Sequence, residues 1–342
     1  LVEIMTLAPM KIQKRFSMFL CVAIFSLTFQ QVPPTVALVW GDPVPLTLFQ
    51  QRVRLVRWQT GQQLLQIVAQ YGAKALTDPT SPYAHEYDLL TDSKAIGQQT
   101  LDQLITVQLL QHEAASRNIT VTDAEIDAQI SSTFGISPTA SPTDAAVLTA
   151  NRDNYLGGAG VAAKMSQADL RTYFGEQVLQ TKVYVALTAA VPQQAEQIKV
   201  RHILVDSVDK ANALLAQIKQ GASFADLAKT NSQDTTTNAQ GGDLGWAPRG
   251  VYDPDFDSAI WAGTVGSVIG PVKTKLGYHL ILIEDRAVRP LDQADYIRAK
   301  NAAYQTWLRD AHDRANIQVI SNWVDYVPPD PTPADLGLPV AP

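Results

Sequence analysis

Residues 198–205 read IKVRHILV and residues 277–282 read GYHLIL. In both runs apolar side chains recur at alternate positions, the period of a strand with a face on a core. Each run carries one histidine, His202 in the first and His279 in the second. Successive strand residues point to opposite faces, so each imidazole can look inward beside apolar walls. A lone histidine on an apolar face is most often a satisfied core residue. Two of them, in strands at opposite ends of one small domain, are less easily dismissed, because imidazoles can hydrogen-bond to each other, which fixes their tautomers and orientation. Between the two runs stands GGDLGW (241–246). Gly241 and Gly242 mark backbone that bends or comes close to something, since a residue without a Cβ takes φ > 0 at little cost. Asp243 can brace such a turn, and Leu244 is then presented by rigid backbone.

Outward from these runs, residues 196–289 read as a mixed domain of roughly 95 residues, an ordinary domain size. DKANALLAQIKQG (209–221) is a helix closed by Gly221. SFADLAKTNS (223–232) is a shorter one capped by Ser223, and DPDFDSAIWAG (253–263) is a third. GSVIGPVKTKLGYHLILIEDR (266–286) gives two strands around a turn at Gly277. The flanks have the helical period instead. Residues 38–192 hold a helix capped by Thr47 with Phe49, Val53, Val56, Leu64, Ile67 and Tyr71 on one stripe, and a second over 93–116. A third starts at Thr122, with Glu125 three residues on, and a fourth runs through SQADLRTYFGEQVLQ. Residues 135–160, rich in Gly, Ser, Thr, Pro and Ala, read as an insertion loop. A last amphipathic helix at 291–318 needs a partner and finds one if it returns to the first helical region. The Pro-rich tail, 319–342, is expected to be extended and to pack little. The fold class is therefore α+β: a small antiparallel sheet with surrounding helices, inserted in or appended to an all-α module.

The chain has 342 residues, 46% of them hydrophobic and 18% charged, within the range of globular proteins. A net charge of −6 without a basic block argues against nucleic acid as partner. Cys21 is the only cysteine, so no internal disulfide is possible. It lies in the apolar run SMFLCVAIFSLTF (17–29), which follows Lys11, Lys14 and Arg15 and precedes QQVPPTVAL, as in a secretory signal. Met10 is a natural initiator, and Thr35 and Ala37 fit a cleavage after residue 37, making 1–37 a targeting segment. An uncleaved anchor, with membrane association through 17–29, is the alternative. Zincin, nucleophile-elbow, P-loop and dinucleotide motifs are missing; GGAG (157–160) lacks the last glycine of a dinucleotide loop.

Taken together, VRHILV, GASFADLAKTNSQD, GGDLGW and FDSAIWAGTVGSVIGPVKTKLGYHLILI resemble the parvulin family of peptidyl-prolyl cis/trans isomerases, in family order. The helical flanks and signal-like start more loosely resemble extracytoplasmic foldases of the SurA and PrsA type. The resemblance implies that His202 and His279 are the paired active-site histidines. It puts Asp234 where the family has a cysteine or aspartate beside the prolyl bond, and Thr274 at the hydroxyl near the histidines. Leu244, Tyr252 and Phe256 would form the proline pocket, and Ser232 would support Asp234. Two positions depart from the pattern: Tyr252 replaces a frequent methionine, and Leu276 replaces a common aromatic. The implied reaction rotates a bond without breaking one, so it needs neither metal nor other cofactor. The implied partners are unfolded or proline-containing polypeptides met outside the cytoplasm. A holdase that grips chains with weak or no isomerase activity is the other reading. Clients, oligomeric state and the choice between direct action and orientation for Asp234 stay open.

Overall fold

The computed structural model describes residues 34–137, 139 and 141–339. The apolar run 17–29 and its basic flank lie outside the described residues. Two short strands, β1 (Thr35–Val39) and β2 (Asp42–Pro45), precede four helices: α1 (Leu46–Tyr71), α2 (Lys74–Thr77), α3 (Ala84–Thr91) and α4 (Ser93–Ser116). Three more follow, α5 (Asp123–Thr133), α6 (Pro142–Ala163) and α7 (Gln167–Thr188). The mixed domain runs β3 (Gln194–Val205), α8 (Val208–Lys219), α9 (Phe224–Asn231), a 3-10 turn at Asn238–Gln240, and β4 (Asp243–Pro248). It continues through α10 (Pro254–Ala262), β5 (Val268–Thr274) and β6 (Gly277–Pro290). The chain closes with α11 (Gln293–Arg314), β7 (Gln318–Val319) and a 3-10 turn at Trp323–Tyr326. Among the described residues no helix is long and apolar enough to cross a membrane.

The helices form where caps and apolar stripes coincide. Thr122 and Glu125 make the reciprocal cap of α5, with Thr122 N donating to Glu125 at 2.8 Å and Glu125 N to Thr122 Oγ1 at 3.3 Å. The last helix packs back onto the first region: Tyr304 of α11 shares a buried cluster with Leu110 and Ala114 of α4 and Val183 of α7. Strand β7 then pairs antiparallel with β1, giving a three-stranded sheet in the order β2-β1-β7. Both ends of the described chain thus lie in one module, and the mixed domain leaves and re-enters it.

Four expectations change. The strand β1 reaches back past the expected boundary at residue 37. Ala37 is 1% exposed and sits between Val44 of β2 and Val319 of β7, so a cut there would divide a core strand. Helix α1 starts at Leu46, with Pro45 as its cap and no side-chain cap from Thr47. Most of the expected insertion loop is helix α6. Ser141 caps it, Pro142 suits the first turn, and Gly158 lets the helix lie against Trp58, whose ring would stand 3.0 Å from a Cβ there. Gly158 and Gly160 lie in close contacts within the helix rather than in a turn, and Gly157 faces open space. The Pro-rich tail is also packed. Val327, Leu336 and Leu338 join the main core, because Gly61 of α1 and Gly97 of α4 leave notches for them. An added Cβ would stand 2.5 Å from Leu336 at Gly61 and 2.6 Å from Val327 at Gly97. Arg54 to Asp330 (2.9 Å) and Tyr87 Oη to Pro339 O (2.9 Å) pin the tail further. Tail composition reports its lack of regular hydrogen bonding, not its contacts.

In the mixed domain all strand pairs are antiparallel and the order is β4-β3-β6-β5. Ile198 and Val200 face α10 with Phe256, Ile260, Ile281 and Ile283. Ile203 and Val205 face α8 and α9 with Ala211, Leu214, Phe224 and Leu280. Both faces of the sheet are therefore covered. Gly242, at φ +75°, lies so close to β3 that an added Cβ would be 2.0 Å from the carbonyl oxygen of His202. Its own carbonyl accepts from His202 N at 2.8 Å.

Three substitutions test this geometry by denaturant unfolding of the full chain. Gly242→Ala should cost about 3 kcal/mol or more, from overpacking added to a strained φ. Gly245→Ala has the same sign of φ (+71°) but open space around it, so it should cost only about 1–2 kcal/mol. Gly97→Val should cost about 1–3 kcal/mol by expelling Val327 and Trp323 from their notch. Equal costs at 242 and 245 would show that the close approach is unimportant.

Candidate functional site

The pairing of β3 with β6 decides where the histidines meet. His202 lies opposite Ile281, and His279 lies opposite Leu204. The two are diagonal neighbours on one face, within reach for aromatic side chains. Their Nδ1 atoms are 3.1 Å apart, the ring planes are inclined by 19°, and the centroids are 5.3 Å apart. His202 is 7% exposed and His279 3%. On the far side of His202, Nε2 meets Asp234 Oδ2 at 2.8 Å. On the far side of His279, Nε2 meets Thr274 Oγ1 at 2.9 Å. Four of the expected residues thus form one line: Asp234, His202, His279, Thr274.

A carboxylate only accepts hydrogen bonds, so His202 donates through Nε2 to Asp234. Two neutral rings then satisfy the remaining contacts in one way. His279 donates through Nδ1 to the bare Nδ1 of His202, and Thr274 donates its hydroxyl proton to Nε2 of His279. The end residue, Asp234, is held from several sides. Thr236 donates from its backbone N (3.0 Å) and its hydroxyl (2.5 Å) to Oδ1, and the Thr237 hydroxyl donates to Oδ2. Burial opposes the charged form of Asp234, but the hydrogen bonds from Thr236, Thr237 and His202 outweigh it and hold the carboxyl well below the usual range. Burial, with His202 beside it, pushes His279 down to about 4. Ser232 stands one step back: its Oγ accepts from Leu204 N (3.1 Å) and Asp234 N (3.3 Å), tying the Asp234 loop to β3.

The apolar residues share one cluster. Phe256 of α10 is buried and turns its ring edge-on to both imidazoles, at centroid distances of 6.1 Å from His202 and 5.2 Å from His279. Tyr252 packs on Phe256 at 5.0 Å, and Leu244 packs partly buried against the same group. Burial and the carboxylates of Asp243, Asp257 and Asp295 push the Tyr252 phenol up to about 12, so it stays protonated. Leu276 is 76% exposed at the tip of the β5–β6 hairpin and takes no part in the cluster. A cleft of about 510 Å³ opens beside Thr274, between Asp253 and Asp255 on one wall and Lys273 and Lys275 on the other.

Three positioning residues escaped the sequence reading. Thr236 and Thr237 were visible only as DTTT, a pattern that also makes ordinary Asx turns. Arg201 binds Gln240 O (2.8 Å), Asp243 (3.1 Å) and Glu284, while Asp243 accepts from Gly245 N at 2.8 Å. It therefore braces the turn that carries Leu244. No local signal in VRHILV separates such an arginine from a solvated one.

The low value at His279 links the site to stability. Its folded value, about 4, lies below the ordinary 6.5, so between these the unfolded chain binds a proton that the folded chain refuses. Stability is complete above the ordinary value and falls as pH drops through that window, by roughly 3 kcal/mol. Asp234, also lowered, extends the loss below the ordinary carboxylate value. Denaturant melts at about pH 7 and about pH 4.5 should show this decline, and a flat profile would contradict the burial of a neutral His279.

Residues 185–287 match the family described as PPIC-type PPIASE domain. The foldase protein PrsA of Caldanaerobacter subterraneus is 32% identical over 200 residues, 58% of this chain and 60% of that one. The chaperone SurA of Aromatoleum aromaticum is 36% identical over 148 residues, 38% of this chain and 34% of that one. A probable parvulin-type peptidyl-prolyl cis-trans isomerase of Bordetella bronchiseptica is 46% identical over 96 residues, 28% of this chain and 36% of that one. The chain therefore spans between about a third and 60% of the length of these relatives. The matched residues 185–287 include the strands and loops that carry the histidine line. Residues 185–287 are a PPIC-type parvulin domain, homologous to those of the PrsA foldases and SurA chaperones.

Proposed function

We propose that this chain is an extracytoplasmic peptidyl-prolyl cis/trans isomerase that assists the folding of exported polypeptides. The observation that carries the reading is the line Asp234–His202–His279–Thr274 meeting the edge of Phe256. Turning an amide crosses roughly 18–20 kcal/mol because conjugation is lost at the midpoint. For a prolyl bond the two ends differ by only about 0.5–1 kcal/mol, so either isomer is substrate. The planar amide is the more dipolar form, and the twisted one gives up part of that charge separation. An apolar cup therefore destabilises the planar ends relative to the midpoint, and each ~1.4 kcal/mol of such preference is a factor of ten in rate.

In this reading Leu244, Tyr252 and Phe256 grip the pyrrolidine ring while the preceding residue rotates. Every oxygen of Asp234 is already engaged by Thr236, Thr237 or His202, which favours a positioning role for it. It fixes the His202 ring and, through it, the tautomer of His279. Thr274 and the imidazoles then present a fixed set of dipoles to the turning amide without reorganising. The signal-like run 17–29 and the foldase and chaperone names of the relatives support the location outside the cytoplasm. A second activity, holding unfolded chains, is favoured by the helical module that flanks the domain, and the two can coexist in one molecule.

Isomerisation of a short prolyl peptide tests the assignment. His202→Ala and Asp234→Ala should each lower kcat/KM about tenfold or more. Thr237→Val should lower it less, through a looser Asp234, and Thr237→Ser should restore it. Unchanged turnover in both alanine variants would overturn the assigned roles.

A further inference from the structure

Tyr252 brings to the apolar cup a group that its other walls lack. Its ring packs on Phe256 at a centroid distance of 5.0 Å, half-buried in the cluster that holds Leu244. Asp257 accepts from Gly250 N at 3.0 Å, which ties the loop carrying Tyr252 back onto the first turns of α10. The Tyr252 hydroxyl makes no hydrogen bond among the described residues, whereas those of Tyr87, Tyr155 and Tyr184 each have a partner. Unlike the Tyr304 hydroxyl, it is not sealed in the interior. The methionine that is frequent at this position has no proton to donate, so the donor is a property of this chain.

The surroundings narrow what the hydroxyl meets. Burial and the carboxylates of Asp243, Asp257 and Asp295 keep the phenol protonated, so it serves as a donor. Asp243 is paired with Arg201 at 3.1 Å and Asp295 with Arg298 at 2.6 Å, while Asp257 has no cationic partner among the described residues. Lys273 and Lys275 belong to the wall beside Thr274, with Asp253 and Asp255 opposite. The balance around the phenol is negative, so a neutral acceptor suits it and an anionic one does not. A prolyl substrate offers a carbonyl on each side of its ring. The one before the ring swings through half a turn as the amide rotates. Proline's own carbonyl hangs from the ring and stays beside it while the ring is gripped. A donor held on a packed aromatic ring matches the carbonyl that stays.

We propose that Tyr252 determines specificity by donating its hydroxyl proton to the proline's own carbonyl oxygen, and so selects prolines inside a chain over a terminal proline carboxylate. The inference rests on the proposed isomerase activity and names the class of polypeptide it takes. The contact is the same in both planar isomers and at the twisted midpoint, so it contributes to KM and leaves kcat alone.

The test uses the full chain and three probes with one common sequence before the ring. The first ends in a proline amide and the second in proline with a free carboxylate. The third ends in 2-methylpyrrolidine, which keeps both isomers and removes the carbonyl. Exchange between cis and trans signals is followed by NMR over a range of probe concentrations. Tyr252→Phe should raise KM for the amide about three- to tenfold, with kcat within about twofold of the unmodified protein. On the 2-methylpyrrolidine probe the two proteins should agree within about twofold, because the contact is missing in both. The unmodified protein should turn over the free acid at least about fivefold less efficiently than the amide. Equal losses on the amide and on the 2-methylpyrrolidine probe would show that the hydroxyl acts only through packing and overturn the proposal. An unchanged KM, a loss confined to kcat, or a free acid handled as well as the amide would overturn it too. In each of these cases turnover of the amide by the unmodified protein leaves the isomerase reading standing. No acceleration of any probe by that protein would overturn both.

Discussion

The contact between Nδ1 of His202 and Nδ1 of His279 depends on one register between β3 and β6. Strand side chains alternate with a period of two, so a slip of one residue would send one imidazole to the face of α8 and α9 and break the line. Several features hold that register. The inner faces on both sides are filled, by Ile198, Val200, Ile281 and Ile283 against α10 and by Ile203, Val205 and Leu280 against α8 and α9. Gly242 then locks β4 to β3 by backbone contact at His202 itself, a place where no side chain fits. The core and the proposed site are thus specified by the same pairing.

Burial gives the site its character and its cost. Two imidazoles, a carboxylate and a hydroxyl are each partnered, so a polar line persists inside an apolar domain without unmet donors along it. The consequence is that His279 is kept neutral well into the acid range, at a stability cost felt only when the solution is acidic. Fixed dipoles beside a water-poor cup are what the rotation of a prolyl amide requires, because the groups need not reorganise as the amide turns.

The helical module is built on a different principle. Chain segments far apart in sequence, β1, α11, β7 and the Pro-rich tail, close one core around α1 and α4. Glycines at 61 and 97 admit the tail, and glycine 158 admits Trp58, so small residues set how closely the elements approach. In such a module the grooves between helices remain open on the outer faces. The groove between α4 and α7 is one of these.

Much of this was legible along the chain. The strand period of 198–205 and 277–282, the cap at Thr122 and Glu125, and the paired glycines before Leu244 are local signals set by periodicity and backbone sterics. Residue order alone was enough to suggest a family, and with it the identities along the histidine line. What the sequence could not carry were statements about partners in space. DTTT does not say that Thr236 and Thr237 clasp a carboxylate. GGAG reads as a loop until Trp58 is seen against it, and a proline-rich tail reads as free until Leu336 is found over Gly61. Local sequence determined which elements form and which side chains share a face, because those follow from torsions and period. Tertiary structure alone decided the tautomers, the burial of His279 and the notches that hold the tail. Each of these depends on atoms brought close from distant parts of the chain, where desolvation and contact set the energy.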